Sequence, residues 1–269
     1  MNKRSQDAIG VFDSGLGGLT VVKELNHHLP NEKIVYFGDT ARVPYGTKSG
    51  ETIIRYSREI VRVLLKHKVK MVVVACNTAS SLALDVLKKE FDLPILGVIE
   101  PGARKAAEVT RNGKVGIIAT SSTVKSGKYA KKIVQFNRNI AVFSESCPLF
   151  VPLVEEGWFD HPVTYQVAEQ YLSAMKKKKI DTLILGCTHY PLLKQVLHNV
   201  MGPKVQLVDS AQEVALQVKG LLTKNRLLRT RLGPCQHLFI VSDEPKQFQR
   251  LAMRFLGGGV KHVRRHIYV

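Results

Sequence analysis

Short apolar runs alternate along the chain with longer stretches in which apolar residues recur at helical spacing. The short runs predict strands at Ala8–Phe12, Ile34–Phe37, Met71–Ala75, Ile95–Val98, Val115–Ala119, Ala141–Phe143, Thr182–Leu185, Val205–Val208 and His237–Val241. Most are continuously apolar rather than alternating, the pattern of parallel strands covered on both faces. Helices are predicted at Gly50–His67, Ala79–Phe91, Val163–Lys177 and Pro191–Met201. In the first of these, Ile53, Ile54, Ile60, Val61, Leu64 and Leu65 share one stripe. Strands and helices in alternation predict an α/β fold with mostly parallel sheets.

A second pattern suggests internal duplication. Two strand candidates end in a cysteine, then polar residues, then a helix: MVVVACNTASS from Met71 and TLILGCTHYPLL from Thr182. GVFDSG from Gly10 and GIIATS from Gly116 are likewise similar strand-to-loop openings. The reading is two similar α/β halves, each offering one cysteine, although any two strand–loop–helix units share some likeness.

Composition narrows the setting. At 269 residues, 45% apolar and 23% charged, the chain has an ordinary globular profile and room for one large or two ordinary domains. No apolar run nears the roughly 20 residues of a membrane-spanning helix. Met1 to Asp7 is polar and carries no signal pattern, so a cytoplasmic protein without membrane association is expected. The cysteines Cys76, Cys147, Cys187 and Cys235 are far apart, with no CxxC or Cys/His ligand spacing, so no metal site is expected and the thiols are expected to be free. Free cysteine is usually a small buried apolar residue, so context must single out any reactive one. The net charge of +18 fits either nucleic-acid binding or a basic surface that helps capture an anionic substrate. The charge is spread over Lys66–Lys70, Lys176–Lys179, Lys224–Arg231 and Lys261–Arg265 rather than gathered on one arm, which favours the second reading, and no specific nucleic acid is expected as partner.

In open parallel sheets, ligands bind beyond the carboxyl ends of the strands, and three loops stand there. Val11–Val21 holds Gly15, Gly17 and Gly18 ahead of a helix start. A dinucleotide loop is one rival, with Asp39 downstream as its acid, but the spacing is not G-x-G-x-x-G and Asp13 would repel a diphosphate. No lysine follows the glycines, so a Walker loop is excluded as well. In the second loop Cys76 precedes Asn77 and Thr78 at a helix start, where a thiolate is favoured; alternatively Asn77 or Thr78 caps the helix and Cys76 is filler. The third, Gly186–Pro191, repeats this arrangement with Cys187, Thr188 and His189, the last a candidate general acid or base. Two strand-end cysteines in matching contexts suit racemisation of an α-carbon: one group removes a proton from one face and another delivers one to the opposite face. The weak acidity of that proton calls for donors that stabilise developing charge, and Ser14, Asn77, Thr78, Thr188 and main-chain amides are available.

VFDSGLGGLTV, VPYG (Val43–Gly46), ACNTAS, FVPLVEEG (Phe150–Gly157) and GCTHYPLL resemble the glutamate racemase signatures of the aspartate/glutamate racemase family, in the family's order and across nearly the whole chain. The resemblance implies two α/β domains, residues 1–99 with 212–269 and residues 100–211, with the active site in the cleft between them. It implies interconversion of L- and D-glutamate without pyridoxal phosphate, metal or nucleotide, a homodimer, and supply of D-glutamate to peptidoglycan synthesis. Cys76 would take the α-proton of D-glutamate and Cys187 that of L-glutamate, with Asp13 assisting the first, His189 the second, and Glu155 supporting His189. Asp13, Ser14, Tyr45, Gly46, Asn77, Thr78, Thr188 and His189 would bind substrate. One departure stands out: Ala119–Thr123 reads ATSST where similar proteins have a Gly-Thr pair, so Thr120 and Thr123 are only secondary candidates for the substrate carboxylate. Regulation by a cell-wall precursor through an N-terminal extension is not expected. Aspartate racemase, a basic nucleic-acid-binding α/β protein and a dehydrogenase are the rivals.

Overall fold

A computed structural model of the chain describes residues 3–230, 233, 235–256, 258, 260 and 263–268. Its strands are β1 (Ala8–Asp13), β2 (Ile34–Gly38), β3 (Val69–Val74), β4 (Ile95–Gly97), β5 (Lys114–Ala119), β6 (Ala141–Ser146), β7 (Thr182–Gly186), β8 (Gln206–Asp209), β9 (Leu238–Val241) and β10 (Val263–Arg265). Its α-helices are α1 (Leu19–His28), α2 (Gly50–Lys66), α3 (Asn77–Leu82), α4 (Leu84–Glu90), α5 (Ile99–Val109), α6 (Ser121–Ser126), α7 (Lys128–Phe136), α8 (Phe150–Glu155), α9 (Pro162–Lys178), α10 (Lys194–Met201), α11 (Ser210–Lys224) and α12 (Pro245–Leu256). The fold is α/β with parallel sheets, as the apolar runs predict: every strand pairing among the described residues is parallel.

The chain divides into two compact units. Unit 1 comprises Met1–Val98 and Ala211–Val269, and unit 2 comprises Ile99–Ser210. Unit 1 holds a six-stranded sheet in the order β10-β9-β2-β1-β3-β4. Its inner strands are buried along their whole length, because helices cover both faces. From α2, Ile53, Ile60, Val61 and Leu64 enter the core with Val72 and Val74, whereas Leu65, assigned to the same stripe by spacing, lies 40% exposed at its rim. Fully burying one such side chain is worth about 1.5–3 kcal/mol. Unit 2 holds a four-stranded sheet, β6-β5-β7-β8, whose core gathers Ile99, Ala103, Ile117, Ile133, Ile184 and Val208.

Four elements depart from the sequence pattern. The helix predicted over Ala79–Phe91 begins at Asn77 and breaks at Ala83 into α3 and α4. Ser81 donates back to the Thr78 carbonyl at 2.9 Å, a back-bond of the kind that bends a helix, and Ser80 ties the first turn to the Val74 carbonyl of β3 at 2.7 Å. The predicted Pro191–Met201 helix opens with a 3-10 turn, Tyr190–Leu193. β6 continues through Ser144, Glu145 and Ser146 and β10 is basic; both are edge strands, where polar residues are favoured and apolar patterning fails.

The two sheets repeat one register. β1 pairs with β3 so that Phe12 faces Val74, and β5 pairs with β7 so that Ala119 faces Gly186. On the other side, Asp13 faces Gly38 and Ala119 faces Ser146. Because all strands are parallel, their carboxyl ends lie along one edge of each sheet, and equivalent strands of the two units deliver Cys76 and Cys187 there.

Candidate active site

In unit 1, Cys76 leaves β3 after Ala75, whose amide donates to the Phe12 carbonyl at 2.9 Å. Cys76 itself is the N-cap of α3: its Sγ accepts the Ala79 amide at 3.5 Å. The cap is therefore neither Asn77 nor Thr78, which occupy the first helical positions and are buried there. A sulfur that accepts a helix N-terminal amide is favoured as thiolate. The Cys76 thiol is also 3.8 Å from Ser14 Oγ.

Asp13, the last residue of β1, is fully buried and accepts the Gly15 amide on Oδ2 at 3.1 Å. Gly18 makes that burial possible, since a Cβ there would stand 2.5 Å from Asp13 Cβ. Tyr36 of β2 donates its hydroxyl to the Gly15 carbonyl at 2.7 Å and so holds the loop from the far side. Burial, then the charges of Asp13 and Cys76, push this hydroxyl well above the ordinary tyrosine range, so it stays a donor. Tyr45 and Gly46 lie in a 3-10 turn, Tyr45–Thr47, that follows a cis Val43–Pro44 bond. The Tyr45 side chain is buried, with its hydroxyl given to Asp39. Asp39, weighed from sequence as the acid of a dinucleotide site, is thus committed inside unit 1.

In unit 2, Cys187 leaves β7 after Gly186. A Cβ at Gly186 would meet the Ile118 carbonyl oxygen at 2.8 Å, so the strand end packs tightly on its neighbour. Cys187 does not begin an α-helix; the 3-10 turn follows His189. His189 is buried, its Nδ1 3.8 Å from Cys187 Sγ and its Nε2 3.2 Å from Glu155 Oε1 at the end of α8. Burial pulls this imidazole down, but the bonds to Cys187 and Glu155 outweigh it and lift the ring to about 10. An imidazolium donates from both nitrogens, to the sulfur on one side and the carboxylate on the other. Thr188 is buried beside it.

Thr120 occupies the station next to Cys187 across β5 and β7. It caps α6 by accepting the Thr123 amide at 3.4 Å, and its Oγ1 lies 3.0 Å from that of Thr123. Cys147 is fully buried after β6, and Tyr190 donates to its carbonyl at 2.8 Å. Burial, with Glu145 and Cys187 nearby, pushes the Cys147 thiol far up, so it remains protonated. Cys235 lies against Arg229 and the Asn31 carbonyl.

Each unit thus offers a buried thiol at the end of an inner strand, Cys76 after β3 and Cys187 after β7, the second in contact with His189. Among the described residues, no three His, Cys, Asp or Glu side chains gather as metal ligands, and no helix is long and apolar enough to cross a membrane. A profile described as Asp/Glu/Hydantoin racemase matches residues 9–218, which takes in both cysteine loops. The chain belongs to this racemase family. It is 54% identical over 251 residues to a glutamate racemase from Geobacter metallireducens, covering 93% of each protein. A crystal structure of a glutamate racemase isoform from Bacillus anthracis superposes with a TM-score of 0.93 at 38% identity, covering 97% of each chain. Another, from Francisella tularensis in complex with D-glutamate, gives 0.91 at 39% identity and 98% of each chain.

Within this racemase chain, sequence reasoning placed Cys76, Asp13 and Ser14 around one strand edge and Cys187, His189 and Thr188 around another, and the geometry brings each set together. It missed Tyr36 and the partners of Asp39. A tyrosine inside an apolar strand reads as core, and only its hydroxyl's direction shows otherwise.

Proposed function

We propose that the chain is a glutamate racemase that interconverts L- and D-glutamate by a cofactor-independent two-base mechanism. The observation that carries the reading is the repeated register that puts Cys76 and Cys187 at equivalent strand ends. The D-glutamate complex of a similar protein supports the substrate. From L-glutamate, the Cys187 thiolate takes the α-proton, the C–H bond breaks, and the electron pair spreads into the α-carboxylate. The Cys76 thiol then delivers its proton to the opposite face of the same carbon. Cys187 ends as thiol and Cys76 as thiolate, ready for the reverse direction. His189, held by Glu155, steadies charge on Cys187, and Asp13 assists near Cys76 as its proton partner. Ser14, Asn77, Thr78 and Thr188, with main chain at Tyr45 and Gly46, bind the substrate and its developing charge.

Aspartate is shorter by one methylene, a difference worth about 1–3 kcal/mol in a fitted pocket. The high identity to a glutamate racemase supports glutamate as the better substrate. D-Glutamate for peptidoglycan synthesis, a cytoplasmic setting and a homodimer complete the proposal. Incubation with L- or D-glutamate in heavy water without added cofactor tests it. The expected result is loss of optical rotation with deuterium at the α-carbon of the product. Retained rotation and no exchange would end the proposal, and faster exchange on aspartate would change the substrate.

A further inference from the structure

Asp39 is fully buried at the end of β2 and gathers donors from four parts of unit 1. Its Oδ2 accepts from Arg42 Nε at 2.7 Å and from the Tyr45 hydroxyl. Its Oδ1 accepts from the Ser242 hydroxyl at 2.9 Å and the Tyr268 hydroxyl at 3.0 Å. The Arg42 guanidinium lies between two rings, 3.8 Å from the centroid of Tyr56 and 3.7 Å from that of Tyr268, and also pairs with Glu59. A buried carboxylate survives only with such complete compensation.

The network leads toward Cys76 along two paths. The Asp39 amide donates to the Asp13 carbonyl at 3.1 Å, fixing the strand end from which Asp13 and Ser14 project. Through Tyr45, Asp39 also holds the 3-10 turn that packs on α3, the helix capped by Cys76, and Tyr45 and Cys76 belong to one core. Closing a sheet of this kind does not itself require the network. At the equivalent station of unit 2 stands Cys147, whose amide makes the matching bond to the Ala119 carbonyl at 2.9 Å but whose thiol, in place of a carboxylate, lies 3.9 Å from the Glu145 carbonyl.

We infer that Asp39, Arg42 and Tyr268 are positioning residues for Cys76: the segment after β10 lays Tyr268 over Arg42, and Asp39 transmits its placement to the Tyr45 turn and the Asp13 loop. The inference rests on Cys76 being the proton carrier of unit 1, yet part of its test needs no turnover. In the full chain, Tyr268→Ala and Tyr268→Phe are compared with the unaltered protein by peptide-resolved iodoacetamide labelling of Cys76 and Cys187, and by KM and kcat for glutamate. Tyr268→Ala is expected to change the Cys76 labelling rate, and to raise KM, by about five- to tenfold, the scale of losing a charged hydrogen bond together with a small misplacement, while Cys187 labelling stays near its original rate. Tyr268→Phe, which keeps the ring over Arg42 but loses the bond to Asp39, falls between Tyr268→Ala and the unaltered protein. Labelling of both cysteines shifting together, or of neither, overturns the inference. Should the chain prove not to racemise glutamate, the labelling contrast still decides the coupling.

Discussion

Cys76 and Cys187 occupy the same topological station, but their surroundings differ in kind. Around Cys76 the neighbouring strand ends carry buried carboxylates, Asp13 and Asp39, and the sulfur is met by the Ala79 amide at a helix start. Around Cys187 the strand ends carry Thr120 and Cys147, no α-helix begins at the sulfur, and the charge comes from His189 backed by Glu155. One thiol is thus held by main-chain dipoles in an acidic setting and the other by an imidazolium. A duplicated scaffold fixes where a reactive group stands, and its electrostatics remain free to diverge.

The largest expected effect tests whether the two stations are equally necessary. Cys76→Ala and Cys187→Ala are each expected to lower racemisation by at least about a thousandfold, because each removes the proton carrier of one face. Turnover retained by either variant sinks the two-base reading. Next, His189→Ala is expected to lower kcat by roughly a hundredfold with little change in KM, the usual weight of a positioned acid–base group. An unchanged kcat would reduce His189 to packing.

The pH response sharpens the contrast further. With the His189 ring raised to about 10 from its ordinary 6.5, its stabilising contribution is complete below pH 6.5 and is lost as pH rises through about 10. Glu155→Gln removes one of the causes, so the His189 midpoint followed by NMR is expected to move down, and stability to fall off at lower pH than in the unaltered chain. A midpoint that stays put would show that Glu155 does not hold the ring. Thr120→Val tests the neighbouring station: loss of the α6 cap is expected to cost about 1 kcal/mol in thermal unfolding, and a rise in KM for glutamate would add the hydroxyl to the substrate contacts. The smallest effect is expected at Cys147 and Cys235. Cys147→Ala should cost stability of about 1 kcal/mol with kcat within about twofold, and the Cys147 thiol should resist labelling because burial keeps it protonated.

Much of this contrast is legible in the sequence. The continuous apolar runs give the parallel strands, and the paired ACNTAS and GCTHYPLL segments give the two cysteine stations. What local patterning leaves hidden is long-range. Asp39 and Tyr268 are far apart in the chain, and no spacing rule joins a strand-end carboxylate to a phenol beyond the last strand. The capping role of Cys76 is hidden for another reason, since Asn and Thr beside it are the better caps by propensity. The second half of edge strand β6 and the whole of β10 escape because polar residues occupy them.

β9 lies between β10 and β2 in the sheet of unit 1, yet in the chain it follows the whole of unit 2. On the ribosome, therefore, the outer edge of β2 stays open until residues past Leu238 have emerged, while unit 2 is already complete in the nascent chain. The inserted unit is free to fold first, and the unit that contains the N-terminus finishes last, an inversion of the usual order of domain folding during synthesis.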